Sequence, residues 1–345
     1  MDIVNGYACF GKGEKLRETE LPLKTFTEDD VDIDVTHCGI CGTDVHTMDS
    51  GWGPTKYPCL VGHEITGNVT RTGENVKHVQ PGDRVGVGAQ SGACGSCEYC
   101  KSGRANLCPK FIWTYNDTWP EGTPTYGGYG NRWRGDQRFV FKLPDGLEND
   151  EAASLLCAGV TTYTPLKRHH VGPGSKVGVV GIGGLGHLAI QWSKAMGAKV
   201  VAISSGERKK QDALQLGADE FLVWKDQEAV RKYENYFTHI VCTAIGDSEQ
   251  LWDAYFHVLA PEGIFILLGL PDKRLSGLSA TLIAFKELII TGSVIGSPDM
   301  IREMLDFAQK HNVHPWIEKI PMDKVNDAIE GMRQGKVRYR YVLEQ

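Results

Sequence analysis

Four cysteines crowd into fifteen residues as Cys94-x2-Cys97-x2-Cys100-x7-Cys108. Four soft thiolates at that spacing can close a tetrahedron around Zn²⁺ with no open position, the mark of a structural site. An iron–sulfur cluster also uses four cysteines and is not excluded by spacing. A second group is less compact. Cys38-Gly39-Ile40-Cys41-Gly42-Thr43-Asp44-Val45-His46 offers thiol, hydroxyl, carboxylate and imidazole in one stretch, and Gly62-His63-Glu64 adds an imidazole beside a carboxylate. A catalytic zinc takes about three protein ligands and leaves one place exchangeable. Cys41 and His63 are the candidates; spacing leaves the third open among Cys38, Cys59, Glu64 and Cys157, and leaves open too that these side chains are simply packed. The third chemistry is phosphate binding. Gly181, Ile182, Gly183, Gly184, Leu185 and Gly186 fit G-x-G-x-x-G, the loop that turns a strand into a helix and lets backbone approach a pyrophosphate at the helix N-terminus.

The elements around these residues read clearly in one half of the chain and irregularly in the other. Lys176–Val180 is a valine-rich run expected to be a buried parallel strand. After the glycines, Leu185, Leu188, Ala189, Trp192, Ala195 and Met196 recur at helical spacing. Strands are expected at about Lys176–Val180, Lys199–Ser204, Phe221–Val223, Ile240–Thr243, Gly263–Leu268 and Leu288–Val294, with helices between them, including Glu207–Leu216 stopped by Gly217. That alternation predicts an α/β, doubly wound, parallel six-stranded Rossmann sheet. Up to about Pro144 the chain instead alternates short β runs with turns (Val31–Val35, Gly67–Thr70, Arg84–Val87, Arg138–Leu143), an irregular and mainly antiparallel β domain holding one cysteine-rich and one aromatic-rich loop. Asn149–Ala158 reads as a helix stopped by Gly159, with another to Lys167. Pro298–His311 reads as a further helix, and Arg340–Leu343 as a last strand returning to the first domain. The expected domains are thus residues 1–151 with 295–345, and 152–294.

The chain has 345 residues, 41% hydrophobic and 23% charged, with a net charge of −6. Length suggests about two full cores. The acidic balance argues against a nucleic-acid or anionic-membrane partner, and no apolar run approaches the ~18 residues of a membrane span. Met1-Asp2-Ile3-Val4-Asn5 has no basic or apolar signal region, so a reducing, cytoplasmic setting is expected for the ten cysteines, as metal ligands or plain thiols and not disulfides.

GICGTDVH (Gly39–His46), VGHEITG (Val61–Gly67), PGDRVGVG (Pro81–Gly88), CGSCEYC with its later cysteine, and GIGGLG follow in one order that resembles the zinc-containing medium-chain dehydrogenase/reductase superfamily. KFIWTYNDTWPEGTPTYGGYG (Lys110–Gly130), SKAMGAKVVAISSGERKKQDAL (Ser193–Leu214) and VRYRYVL (Val337–Leu343) resemble its cinnamyl-alcohol-dehydrogenase branch, which includes NADP-dependent alcohol dehydrogenases. One local departure is Cys59-Leu60-Val61, where that family often has Met-Val-Pro. The resemblance implies a GroES-like first domain, and Cys41, His63 and Cys157 as catalytic zinc ligands with Glu64 able to enter or leave. It implies Cys94, Cys97, Cys100 and Cys108 as structural ligands, making two Zn²⁺ per chain. Asp44 would orient a ligand, and Thr43 and His46 would relay a proton by way of the nicotinamide ribose. It also implies cofactor contacts from His187, Thr161, Thr243, Gly269, Ser293, Val294 and Ile295, a phosphate contact from Arg340, a substrate pocket of Met48, Trp52, Trp113 and Ile295, and a homodimer.

At the end of the second Rossmann strand, an acidic residue would hold a ribose 2′-OH. Here Ser204 and Ser205 stand beside Arg208, Lys209 and Lys210, donors suited to a 2′-phosphate; Glu207 is the one counter-signal. Weighed with the resemblance, this predicts NADP. The expected function is zinc-dependent hydride transfer between NADP(H) and primary alcohols or aldehydes, cinnamyl, benzyl or medium aliphatic. The alternatives are a zinc-independent quinone or enoyl reductase of the same architecture, or a non-catalytic NADP-binding protein.

Overall fold

The computed structural model describes residues 2–244, 251–270 and 277–345. Two compact units are found, Met1–Val160 with Ile295–Gln345, and Thr161–Val294. The first crossover lies at Val160/Thr161 and not at 151/152, because the helical run beyond Asn149 packs into the first unit, with Leu156 lying against Gly86 and Gly88.

The main sheet of the first unit runs Ile317–Pro321, Arg340–Glu344, Asp30–Gly39, Ile65–Thr72, Arg84–Val87, Phe141–Lys142, with Arg132–Asp136 also paired to Asp30–Gly39. Only its first pair is parallel. Val31, Ile33 and Val35 turn inward at the strand period. On the other face Asp32 is buried by a fork from Arg134, at 2.6 and 2.9 Å. The strand expected over Arg138–Leu143 is shorter: Gln137–Phe139 is a 3₁₀ turn and only Phe141–Lys142 pairs. The Asp136 carboxylate accepts the Arg138 N–H at 2.9 Å and so turns the chain away from the ladder. Gly159 does not stop a helix either. Asn149–Ser154, the π-helical Leu155–Gly159 and the α-helical Val160–Arg168 run on from one another.

The second unit is the expected parallel sheet. Its strands lie in the order Glu220–Val223, Lys199–Ser204, Lys176–Val180, Phe237–Cys242, Leu259–Leu267, Ile289–Gly292, that is third, second, first, fourth, fifth, sixth, the doubly wound dinucleotide arrangement. Val177 and Val179 are fully buried, as are Leu188, Ala189 and Trp192 of the helix Gly186–Ala195 that follows. The Trp192 indole N–H donates to Thr162 Oγ1 at 3.1 Å, so its one polar atom is satisfied in the core. A Cβ on Gly186 would lie 1.8 Å from Gly181 O, so only glycine lets the helix start this close to the strand. Lys210–Gln215 is α-helical after a 3₁₀ turn at Glu207–Lys209, and Gly217 follows with φ +103°.

Candidate active site

Two loops and one helix of the first unit bring the less compact group together. Cys41 sits in extended conformation just ahead of the helix Gly42–Met48. Its N–H donates to Asp44 Oδ2 at 2.8 Å, the acidic first-turn bond that fixes where the helix begins. The last strand holds this loop through Ile40 N–H, which donates to Tyr341 O at 2.9 Å, and the His63–Glu64 stretch holds it through Gly39 N–H, which donates to Glu64 O at 2.9 Å. Gly62 has φ +103°, and a Cβ there would meet the Tyr129 ring at 2.5 Å, so glycine is needed to aim the next residue inward. That residue is His63, 2% exposed. Its Nδ1–H faces Asp44 Oδ1 at 2.9 Å, leaving the Nε2 lone pair toward Cys157 Sγ at 3.1 Å. Cys157 comes from the π turn, where the extra residue per turn alters which face a side chain takes.

Ligand atoms of Cys41, His63, Glu64 and Cys157 all lie within 4.8 Å of one another. This resolves the third-ligand ambiguity: Cys157 and Glu64 join the group, while Cys38 and Cys59 lie outside it, in the hydrophobic core. The donor set is two sulfurs, a neutral imidazole and an optional carboxylate, which fits Zn²⁺. The electrostatics favour a thiolate at Cys41, whereas at His63 they favour the charged ring, which must give up its proton to take a metal. A hydrogen bond from Cys157, then the His63 ring and the Arg340 charge, hold the Cys41 thiol well below its ordinary value despite burial. Burial alone would lower His63, but the Asp44 carboxylate more than reverses it, raising the ring well above its usual range. Burial pushes Glu64 up to about 7, opposed by Arg340. Arg340 Nη2 ion-pairs with Glu64 Oε1, while Glu64 Oε2 is buried with no hydrogen bond, an orphaned acceptor beside the thiols.

The compact group is also closed. Cys94 Sγ lies 3.6 Å from Cys108 Sγ and 4.0 Å from Cys100 Sγ, and Cys97 Sγ 3.8 Å from Cys108 Sγ. Sulfurs on a tetrahedron with Zn–S bonds of ~2.3 Å stand roughly 3.8 Å apart. The N–H groups of Cys94, Cys97, Cys100 and Lys110 point at the sulfurs of Cys108, Cys94, Cys97 and Cys108. All ten cysteines are free thiols. Around the loop only Ala93, Cys108 and Phe139 form a buried apolar cluster, so a metal has stability to supply there.

A cavity of about 320 Å³ opens beside His63, lined among others by Thr43, His46, Trp52, Trp113 and Tyr115. His46 stacks on Trp52, ring centroids 4.4 Å apart and planes at 16°. Trp52 and Trp113 are about half exposed on its wall. Met48 is not on that wall: it is 2% exposed and its side chain belongs to the core. Ile295 is not among the lining residues either; it opens the unit's second segment, 7% exposed, with φ +38°.

A model of the alcohol dehydrogenase GroES-like domain matches residues 27–145, and one of the zinc-binding dehydrogenase matches residues 184–310. An 8-hydroxygeraniol dehydrogenase from Catharanthus roseus is 45% identical over 319 residues, 92% of this chain and 88% of its own length. The chain belongs to the zinc-containing medium-chain dehydrogenase/reductase superfamily. Among solved structures, a cinnamyl alcohol dehydrogenase from Sorghum bicolor superposes with a TM-score of 0.95 at 37% identity, covering 99% of this chain and 98% of that one. A cinnamyl alcohol dehydrogenase from Helicobacter pylori, complexed with NADP(H), gives 0.92 at 34% identity over 99% and 98%. The chain is therefore an alcohol dehydrogenase/reductase of the cinnamyl-alcohol-dehydrogenase kind, an oxidoreductase acting on CH–OH groups.

In this superfamily's second domain the glycine loop lies at the strand ends where the sheet order reverses. Gly183 has no atom within 4 Å of where a Cβ would be, bare backbone of the kind a phosphate approaches. His187 is buried, its Nδ1 3.0 Å from Gly183 O, so it braces the loop. Thr243 Oγ1 donates to Val180 O at 2.8 Å, and Gly269 N–H to Cys242 O at 3.0 Å, both at strand ends of the same face. Ser205 and Arg208 are exposed at the tip of the second strand. Lys209 Nζ donates to Ile182 O, joining that tip to the glycine loop. Lys210 stands 3.6 Å from the outward-pointing Glu207. Ser293 Oγ is buried without a hydrogen-bond partner. Thr161 opens the unit and Val294 closes it. Arg340, expected as a phosphate contact, is 6% exposed beside Glu64. Sequence reasoning missed Tyr129, which donates to Asp44 Oδ2 at 3.2 Å, and Thr47, Thr55, Ala89 and Asn116 on the cavity wall; their types carry no sequence signal of that role.

Proposed function

We propose that this protein is a zinc-dependent aldehyde reductase and alcohol dehydrogenase that uses NADP(H), acting on cinnamyl, benzyl and medium aliphatic substrates. The observation that carries it is the Cys41–His63–Cys157 donor set, Cys41 half-buried and the other two buried, beside a cavity faced with tryptophan. Zinc held by those three side chains supplies Lewis acidity toward an alcohol or carbonyl oxygen. The rest falls to the chain. Asp44 keeps the His63 ring in the tautomer whose Nε2 faces the thiols. Thr43 and His46, on the cavity wall, pass a proton between substrate oxygen and solvent. Trp52 and Trp113 bury an aromatic ring or alkyl chain and exclude water. Glu64 serves as an optional fourth ligand, countered by Arg340.

NADP use is supported by Ser204, Ser205, Arg208, Lys209 and Lys210 at the second strand's tip, with no acidic side chain at the strand end itself. The Helicobacter pylori relative's complex with NADP(H) agrees. Thr161, Gly181–His187, Thr243, Gly269 and Ser293–Ile295 are assigned to the cofactor, as is Arg340. A second Zn²⁺ in the Cys94–Cys108 loop completes the set. We assign a homodimer through the edge strand Ile289–Gly292, beside which Phe285, Ile289 and Ile290 are exposed. The test is NADPH oxidation over a panel of cinnamaldehyde, benzaldehyde, furfural and hexanal. Turnover that Cys41→Ala abolishes supports the reading; turnover with quinones or enones that survives Cys41→Ala would replace it with a zinc-independent reductase.

A further inference from the structure

A histidine metal ligand is only as good as the hold on its far side. The imidazole torsion is broad, and one hydrogen bond leaves a ring able to rock about it. Asp44, which makes that bond, is fully buried and shares its two oxygens among Cys41 N–H, Gly62 N–H, His63 Nδ1–H and Tyr129 O–H. Tyr115 makes a further contact from the aromatic-rich loop. Its hydroxyl lies 3.1 Å from His63 Nδ1, the nitrogen that faces Asp44, and its ring flanks the imidazole at 5.6 Å and 51°. Tyr115 is 6% exposed, yet it also lines the cavity.

We propose that Tyr115 is a positioning residue: its hydroxyl clamps the His63–Asp44 pair from the cavity side, so that one side chain both walls the substrate site and holds the imidazole on its ion. Tyr129 clamps the same carboxylate from the core side. This rests on the zinc-dependent reading above and deepens it. Partners at this distance from a metal are worth about 10–100-fold in affinity or activity, and Tyr115→Phe removes one oxygen while keeping the ring.

The experiment uses the zinc-loaded holoenzyme. Zinc release to an excess of chelator is timed, with melting temperature and steady-state kinetics on a small and a bulky aldehyde measured alongside. Tyr115→Phe is expected to release the Cys41-site zinc roughly tenfold faster and to lose kcat by a similar factor on both aldehydes. Tyr129→Phe, away from the cavity, is expected to speed release too while leaving both KM values unchanged. Release from the Cys94–Cys108 loop should not change in either variant. Unaltered release in Tyr115→Phe, whatever Tyr129→Phe does, or a Tyr115→Phe effect confined to the KM of the bulky aldehyde, overturns the positioning role alone. A wild-type chain that carries no zinc at Cys41 overturns the functional reading as well.

Discussion

Single side chains decide the cofactor and the chemistry, and the sequence shows them unequally. Ser205 is exposed where an acidic residue would select NAD. Ser205→Asp is therefore expected to raise the Michaelis constant for NADPH at least tenfold while changing that for NADH little, measured with one aldehyde; equal effects on both cofactors would remove the anion site from this position. His46 lies flat against Trp52. His46→Ala is expected to slow alcohol oxidation about 10²-fold, the low end of what a positioned proton carrier contributes, with partial rescue by added imidazole as the check. The clustered thiols of Cys94–Cys108 stand out because soft donors at short spacing have few other uses. Cys157 does not, because it lies 94 residues from His63 and only folding brings them together. Met48, given a pocket role by the family resemblance alone, lies instead in the core, because its short helix turns that side chain inward.

At the scale of elements, the parallel half is legible as an order of strands and helices: Lys176–Val180 and Lys199–Ser204 are valine-rich runs read to the residue, while Phe237–Cys242 and Leu259–Leu267 begin three and four residues before their expected starts. In the first half single strands such as Arg84–Val87 and the returning strand from Arg340 are legible, but not their partners. Its sheet is held by pairs distant in sequence, such as Leu343 opposite Cys38, and no local pattern announces them. The cysteine loop has little core of its own, so stripping its metal, or Cys100→Ser, is expected to lower the melting temperature and expose the loop to protease. Asp219 gives a pH signature in the other unit. It accepts Val200 N–H at 2.8 Å and Lys194 Nζ at 2.6 Å, which outweigh partial burial and hold its carboxyl below the usual range. A depressed folded-state value means the stabilisation is complete above the unfolded value near 3.9 and fades as pH falls through the folded one. Asp219→Asn should thus cost about 1 kcal/mol at neutral pH, and thermal melts of the two proteins should converge in acid.

At the scale of the molecule, the exposed apolar edge at Phe285, Ile289 and Ile290 has no cover among the described residues. Sedimentation velocity should show a dimer for the wild type and a monomer for Ile290→Lys; a monomeric wild type would leave that edge unexplained and the dimer assignment wrong. No described helix is long and apolar enough to cross a membrane. On the proposed function the first unit is expected to hold two zinc ions in different employment, one closed and one reactive. Elemental analysis of purified wild type and Cys41→Ala, each with its turnover recorded, tests it most directly. Two zinc per chain with activity are expected in the wild type, and one zinc with none in the variant. One zinc per fully active wild-type chain, or two in an active Cys41→Ala, would contradict the proposed function.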